Sequence, residues 1–333
     1  MSRNLGSVKS WLSFAGRASG VILTFGTLWW FLRGLNFRDL GDTLGHAMGP
    51  ALAAAVLLNF AGQFVRTAAW QVMLAPDHRI SFRKLLYCEY AAQAASSTSP
   101  AKAGEVLRFW LLKREDVPAA TTGGLIALKK LLGANALSLL VIATPWLLPG
   151  VPGWMGLVVV VFAASMVGLL AALCVVANRA KAERLPKFLS IMIGGLYLLR
   201  DGYRTLASFG VILVGEAIDL FAAWVVMYAL HMHEPLAAAG LTLFLIDVSN
   251  AIPAAPAQLG TFEVGAYYAL DLLHVPQSGA IAFALLFHAQ QALPQIVVGL
   301  PLELHFLTRR KRESEVPVTA ATAEAEEGAE VEA

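Results

Sequence analysis

The chain has 333 residues, of which 57% are hydrophobic and 14% are charged, and its mean hydropathy is +0.63. This composition is too apolar for a soluble globular protein, and the chain is too long for a single span, so the sequence predicts an all-α polytopic membrane protein. The net charge is only +2, because basic residues in short loops are offset by acidic residues after Arg312. This distribution indicates membrane orientation and not nucleic-acid binding.

Six stretches reach the roughly 20 apolar residues that a helix needs to cross about 30 Å of hydrocarbon. We predict spans at 11–32, 50–74, 119–147, 154–177, 208–230 and 279–307. The first has no convincing cleavage site, so we expect it to remain attached. Cys88 and Cys174 lie in or beside apolar runs without partners at metal-ligand spacing. We interpret both cysteines as packing residues and expect no disulfide, metal or cofactor site.

The loops between the spans predict the orientation in the membrane. Segments 77–84, 179–187 and 309–312 are rich in Lys and Arg, whereas 148–153 and 231–234 contain neither. Basic loops remain in the cytoplasm. Six spans with both termini inside satisfy this rule, apart from the loop after Leu32, which carries Arg33 and Arg38. We therefore predict a multi-pass protein of the cell (inner or plasma) membrane with both termini cytoplasmic.

Two further apolar segments, 85–112 and 235–273, are interrupted by polar or proline-rich stretches at 96–100 and 250–256. Each reads as a re-entrant hairpin that enters the bilayer as a half-helix, turns, and leaves on the same side. The first lies between cytoplasmic flanks and the second between external ones. Because each half then has three full crossings, the second half is inverted relative to the first, as in many transporters.

This pattern divides the chain into a first membrane repeat at 1–147, a second at 148–308 and a charged, disordered cytoplasmic tail at 309–333. Segment 188–204 reads as an interfacial helix on the cytoplasmic face. If this segment crossed the membrane instead, the span count and the inversion would both fail.

The two hairpin turns share a short motif. Residues 100–105 read Pro-Ala-Lys-Ala-Gly-Glu, and residues 256–263 read Pro-Ala-Gln-Leu-Gly-Thr-Phe-Glu. Each combines a helix breaker, a polar side chain, a glycine and a glutamate. The predicted gate or hinge residues are the breakers and glycines of these turns, namely Pro100, Gly104, Pro253, Pro256 and Gly260.

Charged side chains inside the apolar segments are the candidate substrate-binding residues. A charge at bilayer depth costs at least about 2.5 kcal/mol, so each is expected to have a partner or a function. Lys129 and Lys130 of the third predicted span lie at the same depth as Glu216 and Asp219 of the fifth. We expect the charged residues of the two hairpins, including Asp247, to meet these groups near the midplane. The candidates are Lys102, Glu105, Arg108, Lys129, Lys130, Glu216, Asp219 and Glu263.

Structural roles are the alternative for these charges. Lys129 or Lys130 would then pair with Glu216 or Asp219 and hold the helices in register. Arg66 reads more simply as an interfacial snorkelling residue, and His288 alone as a satisfied core histidine.

The cations suit a phosphate, because a half-helix N-terminus already directs backbone N–H groups at an anion. The carboxylates would balance those cations in the empty state or bind the amine of a zwitterionic or aminoacylated lipid. The expected partners are therefore membrane lipids: an anionic or aminoacylated phospholipid, or a polyprenyl-phosphate-linked precursor. A homodimer or an enzyme of a lipid pathway remains an open partner.

The motif of Pro100, Gly104, Glu105 and Arg108, together with Leu-Gly-Thr-Phe-Glu at 259–263, resembles the lysylphosphatidylglycerol synthase transmembrane region. That region is the flippase-like membrane half of the multiple peptide resistance factor and also occurs as a stand-alone protein. The resemblance covers about residues 50–307. It implies a membrane domain that moves lipids or lipid-linked precursors between leaflets, with members in hopanoid and glycolipid pathways.

This sequence departs from the family pattern in the third span. It carries Lys129, Lys130 and Gly133 where relatives often have Glu-Arg followed three residues later by Asp. The loss of two acids favours an anionic headgroup.

The leading prediction is a lipid translocator, not an enzyme, in which the hairpins open a midplane cavity alternately to the two leaflets. A non-transporting partner in a lipid, hopanoid or glycolipid biosynthesis complex is the first alternative. A membrane-embedded lipid-modifying enzyme is less favoured, because the hydroxyls of 96–99 have no convincing activating base.

Overall fold

The computed structural model describes residues 36–75, 77–98, 103–179, 196–251 and 258–304. Within these ranges all regular secondary structure is helical, which confirms the all-α class. The predicted span at 11–32, the tail at 309–333 and four candidate residues, Lys102, Pro100, Pro253 and Pro256, lie outside the described residues.

Eleven α-helices are named here in chain order within the described ranges. They are α1 (Phe37–Gly45), α2 (Gly49–Leu74), α3 (Phe82–Thr98), α4 (Ala103–Lys113), α5 (Ala119–Val141), α6 (Thr144–Leu147), α7 (Gly153–Arg179), α8 (Gly202–Ala229), α9 (Leu236–Asn250), α10 (Thr261–Leu272) and α11 (Gln277–Pro294). A π-helical segment, Gln295–Gly299, continues α11 to Leu304. A 3-10 turn, Tyr197–Arg200, precedes α8.

Five helical stretches of the described chain are long and apolar enough to cross a membrane: Gly49–Leu74, Ala119–Leu147, Gly153–Arg179, Gly202–Ala229 and Gln277–Leu304. They coincide with five of the six predicted spans. The protein is therefore a multi-pass membrane protein. One boundary differs from the prediction, because α8 begins at Gly202, where the Asp201 side chain accepts a hydrogen bond from the Arg204 amide. The described part of 188–204 is therefore the 3-10 turn followed by the first residues of a span.

The helices α2 and α8 form the centre of the bundle and run antiparallel. The Met48 amide donates to the Ala229 carbonyl at one end (2.8 Å), and Arg204 pairs with Asp77 at the other (3.5 Å). Between these ends the two helices are in contact, and a Cβ on Gly215 would lie at an ordinary van der Waals distance, 3.7 Å, from the Val65 side chain.

Two helical hairpins lie beside this pair, and they open toward opposite ends of the bundle. In the first, α3 packs on α4, and Lys84, at the start of α3, binds Glu115, just after α4, at 2.7 Å. In the second, α9 packs on α10. The segment that follows α10 lies beside the uncharged loop at 148–153: a Cβ on Gly150 would be 3.7 Å from the His274 ring. The first hairpin thus opens at the end that carries the basic loop at 77–84.

Glycines bring the two helices of each hairpin together. A Cβ on Gly104 would overlap the Ala92 carbonyl oxygen and the Ser96 hydroxyl of α3. A Cβ on Gly265 of α10 would lie 2.7 Å from the Leu245 carbonyl oxygen of α9. Gly104 was predicted as a hinge, but it lies inside the first turn of α4, and its visible role is close packing.

Each hairpin also packs against the last span of the other half of the chain. Helix α3 lies along the π-helical continuation of α11, and α9 lies along α5. The first contact includes the Ser97 hydroxyl, which donates to Gln295, and Gly299, whose Cβ would be 2.5 Å from the Tyr90 carbonyl oxygen. The two halves therefore interlock.

Candidate functional site

Glu89 is the centre of a buried charge cluster inside the first half. Its side chain is 3% exposed and accepts from Arg108 of α4 at 2.8 Å and from Lys129 of α5 at 3.3 Å. Gln93, one turn along α3, donates to the same carboxylate at 3.0 Å. One carboxylate thus joins the hairpin to the neighbouring span and serves two cations.

Trp70 of α2 covers this cluster. The Arg108 guanidinium lies 5.1 Å from the ring centroid and the Lys129 ammonium lies 5.2 Å from it. Both distances suit a cation–π interaction. The Nε atom of Arg108 is buried without a hydrogen-bond acceptor in the described part of the chain, so this cation retains a donor that its present partners do not use.

A second pair of contacts links each hairpin to the span that follows it. Lys130 of α5 binds Glu105 of α4, and His288 of α11 contacts Glu263 of α10 at 2.6 Å. In both pairs the partners are 25 residues apart in the chain. Glu263 also accepts from the Gly260 amide at 2.7 Å, which caps the start of α10.

Gly260 adopts a left-handed backbone conformation at this cap, with φ of 93°. A residue with a Cβ is strained at such an angle, so the position requires glycine. Of the predicted gate residues, Gly260 is the one in the described chain whose backbone conformation suits a turn.

A polar cavity of about 210 Å³ lies between α2, α5, α8, the second hairpin and α11. Its described walls carry three carboxylates and one guanidinium, which is unusual for the interior of a membrane protein. The polar lining residues are Arg66, Glu216, Asp219, Asp247, Asn250, Gln258 and Gln291, and the apolar ones are Leu137, Leu243, Ile246 and Phe262.

The cavity charges are unequally paired. The Nη2 atom of Arg66 donates to both carboxylate oxygens of Asp219 at 2.8 Å, which fixes both groups on the wall. Within the described ranges, neither Glu216 nor Asp247 forms an ion pair or a hydrogen bond. Both line the cavity beside Asp219, whose charge acts on each of them, and Arg66 acts in the same way on Glu216. The described walls of the cavity therefore offer two carboxyl groups, those of Glu216 and Asp247, to a ligand.

The cavity and the Glu89 cluster are neighbours. Glu216 lies close enough to both Arg66 and Lys129 to interact with each through charge, and Arg66 interacts in the same way with Glu89. Polar groups therefore continue from the first hairpin into the cavity bounded by the second.

The structure brings most of the described candidates together, with partners that differ from the predicted ones. Arg108 and Lys129 meet at Glu89, Lys130 meets Glu105, and Glu216 and Asp219 share the cavity. The structural alternative gave Glu216 or Asp219 as an example of a partner for Lys129 or Lys130, whereas the ion pairs of these lysines are with Glu89 and Glu105. The snorkelling interpretation of Arg66 is wrong, because its guanidinium turns inward to Asp219.

Sequence reasoning missed Glu89, although a signal was present. It is a carboxylate within an apolar segment, seven residues before Ser96, and intramembrane charges are functional candidates by default. Its presence also changes the argument from the third span: Glu89, supplied by α3, balances the cations there. The preference for an anionic headgroup therefore loses its support.

A search of curated proteins found no match to the chain. The model of the family described as "Lysylphosphatidylglycerol synthase TM region" matches residues 17–299, which is most of the sequence. This range includes both hairpins, every candidate residue of the site and the five spans as far as Gly299, and the chain therefore belongs to the lysylphosphatidylglycerol synthase transmembrane-region family.

Proposed function

We propose that this protein is a membrane lipid translocator that carries a phospholipid headgroup through the cavity between the two hairpins. The observation that carries the proposal is a cavity at mid-depth of the spans whose carboxyl groups, Glu216 and Asp247, have no ion-pair or hydrogen-bond partner among the described residues. Charged groups inside a membrane protein cost free energy, so their presence at this depth indicates a function. Binding and releasing a charged headgroup is the function that suits a member of a lipid-related family.

The headgroup that fits these walls carries an amine as well as a phosphate. The amine would bind between Glu216 and Asp247, and the phosphate would lie toward Arg66. At about 210 Å³, the cavity is smaller than the roughly 300–1,000 Å³ of pockets that enclose a whole drug-sized ligand. It suits a headgroup whose acyl chains remain in the surrounding lipid.

An inverted repeat would explain how the cavity opens to both leaflets. The same number of residues separates Glu89 from Asp247, Glu105 from Glu263, and Lys130 from His288. The hairpins open at opposite ends, and each packs on the last span of the other half. These correspondences support two related halves of opposite orientation, which is the architecture of alternating access.

In this proposal the two hairpins are re-entrant and their turns lie at membrane depth. Helix α3 is about 25 Å long and α4 about 16 Å, at about 1.5 Å per residue. An arm of the latter length reaches about halfway through the hydrocarbon layer. The turn would then face protein or water instead of lipid, as backbone without regular structure requires.

Accessibility of single cysteines tests the hairpin depth. In a background with Cys88 and Cys174 replaced by Ala, Thr98→Cys and Gln258→Cys are expected to react with a membrane-impermeant maleimide at least tenfold more slowly than cysteines in exposed loops. Asp77→Cys and His233→Cys, exposed at the two ends of the bundle, are the controls. Equal rates at all four sites would show that the hairpin turns are ordinary loops.

Transport by Asp247→Asn tests the proposed function. Asp247 has no partner in the described chain, so its neutralisation is expected to leave the fold intact. A lost charge-assisted contact of about 1.5–3 kcal/mol corresponds to a loss of roughly 10–100-fold. We expect that loss in the rate at which purified protein in liposomes moves fluorescently labelled phosphatidylethanolamine between leaflets.

Asp271→Asn is the matched control, because Asp271 is an exposed carboxylate of the same hairpin that does not line the cavity. Labelled phosphatidylglycerol, which lacks the amine, tests the headgroup assignment. Faster movement of phosphatidylglycerol than of phosphatidylethanolamine by the unaltered protein would overturn the amine site. Unchanged transport by Asp247→Asn would remove the cavity from the mechanism.

A further inference from the structure

The contact between Glu263 and His288 holds the second hairpin against the last span. One carboxylate oxygen of Glu263 lies 2.6 Å from the His288 Nδ1 atom, and the other accepts from the Gly260 amide at 2.7 Å. The same carboxylate therefore fixes the hairpin turn at Gly260 and ties α10 to α11. A change in the charge of this pair acts on the turn and on the span together.

The corresponding contact in the first half is a different kind of pair. Glu105 binds Lys130 there, at the same spacing of 25 residues. Lysine keeps its charge throughout the physiological pH range, whereas histidine is the side chain that gains or loses a proton between about pH 5 and pH 8. The first hairpin is thus held by a permanent ion pair, and the second by a contact whose charge depends on one proton.

The Glu263–His288 pair lies directly behind a wall of the polar cavity. Phe262, the neighbour of Glu263, lines the cavity, and its ring centre is 4.4 Å from that of His288. Gln291, which also lines the cavity, follows His288 by three residues on α11. The side chains of His288 and Glu263 are 14% and 12% exposed, so water still reaches the pair. A movement of α10 away from α11 therefore displaces a wall of the cavity.

Other titratable groups lie around the pair on the helices that pack against it. They are Arg66 of α2, Glu216 and Asp219 of α8, Asp247 of α9 and Tyr267 of α10. Arg66 binds Asp219, and the charged residues of α1, which packs on α11, are exposed. Among the described residues, the ion pair that Glu263 forms is with His288. The charge of Glu263 is therefore balanced when His288 is protonated.

We infer that the Glu263–His288 pair is a proton-binding site that holds the second hairpin closed on the last span. With the proton bound, an imidazolium and a carboxylate of opposite charge attract each other in a site largely shielded from water, where such attraction is strong. When one N–H bond of the imidazolium breaks and the proton passes to water, a neutral histidine and an unbalanced carboxylate remain, and the contact weakens. Because linkage is reciprocal, opening of the hairpin weakens proton binding by the same factor.

A proton bound at this site can be coupled to lipid movement, and that part of the inference rests on the proposed function. Protons favour the closed second hairpin, and proton release accompanies its opening. Since the pair lies behind a wall of the cavity, the same step changes the space for the headgroup. A difference in pH across the membrane would then favour one orientation of the translocator over the other.

The surroundings of the second hairpin turn at two pH values test the site in purified full-length protein in detergent. Leu259, at the turn, is 49% exposed. A bimane fluorophore attached to Leu259→Cys, with Cys88 and Cys174 replaced by Ala, reports contact with water by the wavelength of its emission maximum. We expect this emission to move to longer wavelength from about pH 5 to about pH 8.

Two substitutions of His288 in this labelled protein fix the charge of the pair. His288→Lys copies the pair of the first half and is expected to keep the acidic-pH emission at both pH values. His288→Gln is neutral and is expected to keep the emission of the higher pH at both. Glu263→Gln can still accept from the Gly260 amide and is expected to need at least about tenfold more protons for half of the change, since contacts to charged groups contribute a factor of that order.

His233→Gln is the matched control, because His233 is an exposed histidine just before the same hairpin. It is expected to respond to pH as the labelled protein with His233 does. An emission change that persists in His288→Lys would assign the proton to another group and overturn the site. An emission that does not depend on pH while His288 is present would overturn it as well.

Transport at the two pH values separates this inference from the proposed function. With equal pH on both sides of the liposome, the unaltered protein is expected to move labelled phosphatidylethanolamine roughly tenfold more slowly at about pH 5 than at about pH 8, because the strengthened contact must break in each cycle. His288→Lys is expected to be slow at both values. Equal rates in the unaltered protein would refute the coupling and leave translocation standing. Absence of transport at both would refute the proposed function, and the bimane emission would still decide the proton site.

Discussion

Replacing Glu89 with Gln is expected to lower the free energy of unfolding by about 3–5 kcal/mol, the range found when one partner of a buried ion pair is removed. The physical reason is the number of charges that depend on this carboxylate. Arg108 and Lys129 are 13% and 18% exposed, and both bind Glu89. Without it, two cations of like sign would share a buried site. Denaturant titration in detergent, followed by circular dichroism, measures the change.

Two variants make this prediction specific. Glu115→Gln removes the carboxylate of a surface pair, in which Lys84 is 61% exposed, and is expected to cost no more than about 1 kcal/mol. Glu89→Gln/Lys129→Met removes one of the stranded cations and is expected to recover part of the loss. If Glu89→Gln unfolds at the same denaturant concentration as Glu115→Gln, the cluster does not stabilise the first half.

Gly104→Ala is the second large effect that we expect. The added methyl group would overlap the Ala92 carbonyl oxygen and the Ser96 hydroxyl. Backbone atoms cannot move aside as a flexible side chain can, so α3 and α4 must separate. Overpacking of a closely packed site costs typically about 1–3 kcal/mol, and here the helix separation would also disturb Arg108 on Glu89. The measurement is the same unfolding titration.

Gly168→Ala is the control, because a Cβ there meets nothing within 4 Å. Gly168 lies inside α7, where alanine is the better helix former by about 1 kcal/mol. This control is expected to be neutral or slightly stabilising. Equal stability of Gly104→Ala and the unaltered protein would mean that the hairpin is loose enough to accept a methyl group.

The sequence was most informative where the physical signal is local. Hydropathy located the spans from 50 to 304, because a helix in lipid must satisfy its own backbone and keep an apolar surface. The polar interruption at 96–100 and the prolines at 253 and 256 likewise marked the two hairpins. One boundary, at Gly202, was missed because the cap at Asp201 depends on a single side chain.

The partners of the buried charges could not be predicted from the sequence, because they depend on which helices are in contact. Arg66 and Asp219 are 153 residues apart, and nothing local links them. The structural alternative paired a lysine of the third span with α8, whereas Glu89 of α3 binds Lys129 and Glu105 of α4 binds Lys130. Depth along a helix is predictable from residue count, whereas the rotation of that helix about its axis follows from packing that one sequence does not reveal.

The unequal surroundings of Glu89 and Asp247 give the molecule an electrical polarity. In the proposed inverted repeat, Arg108 and Lys129 correspond to Ala266 and Phe287. Glu89 therefore has two cationic partners, whereas Asp247 has none among the described residues. In the proposed alternating-access mechanism, two halves of different charge cannot exchange roles at equal free energy. Such a translocator would favour one orientation at rest, and a membrane voltage would shift that preference, although without an energy source it could not drive lipid uphill.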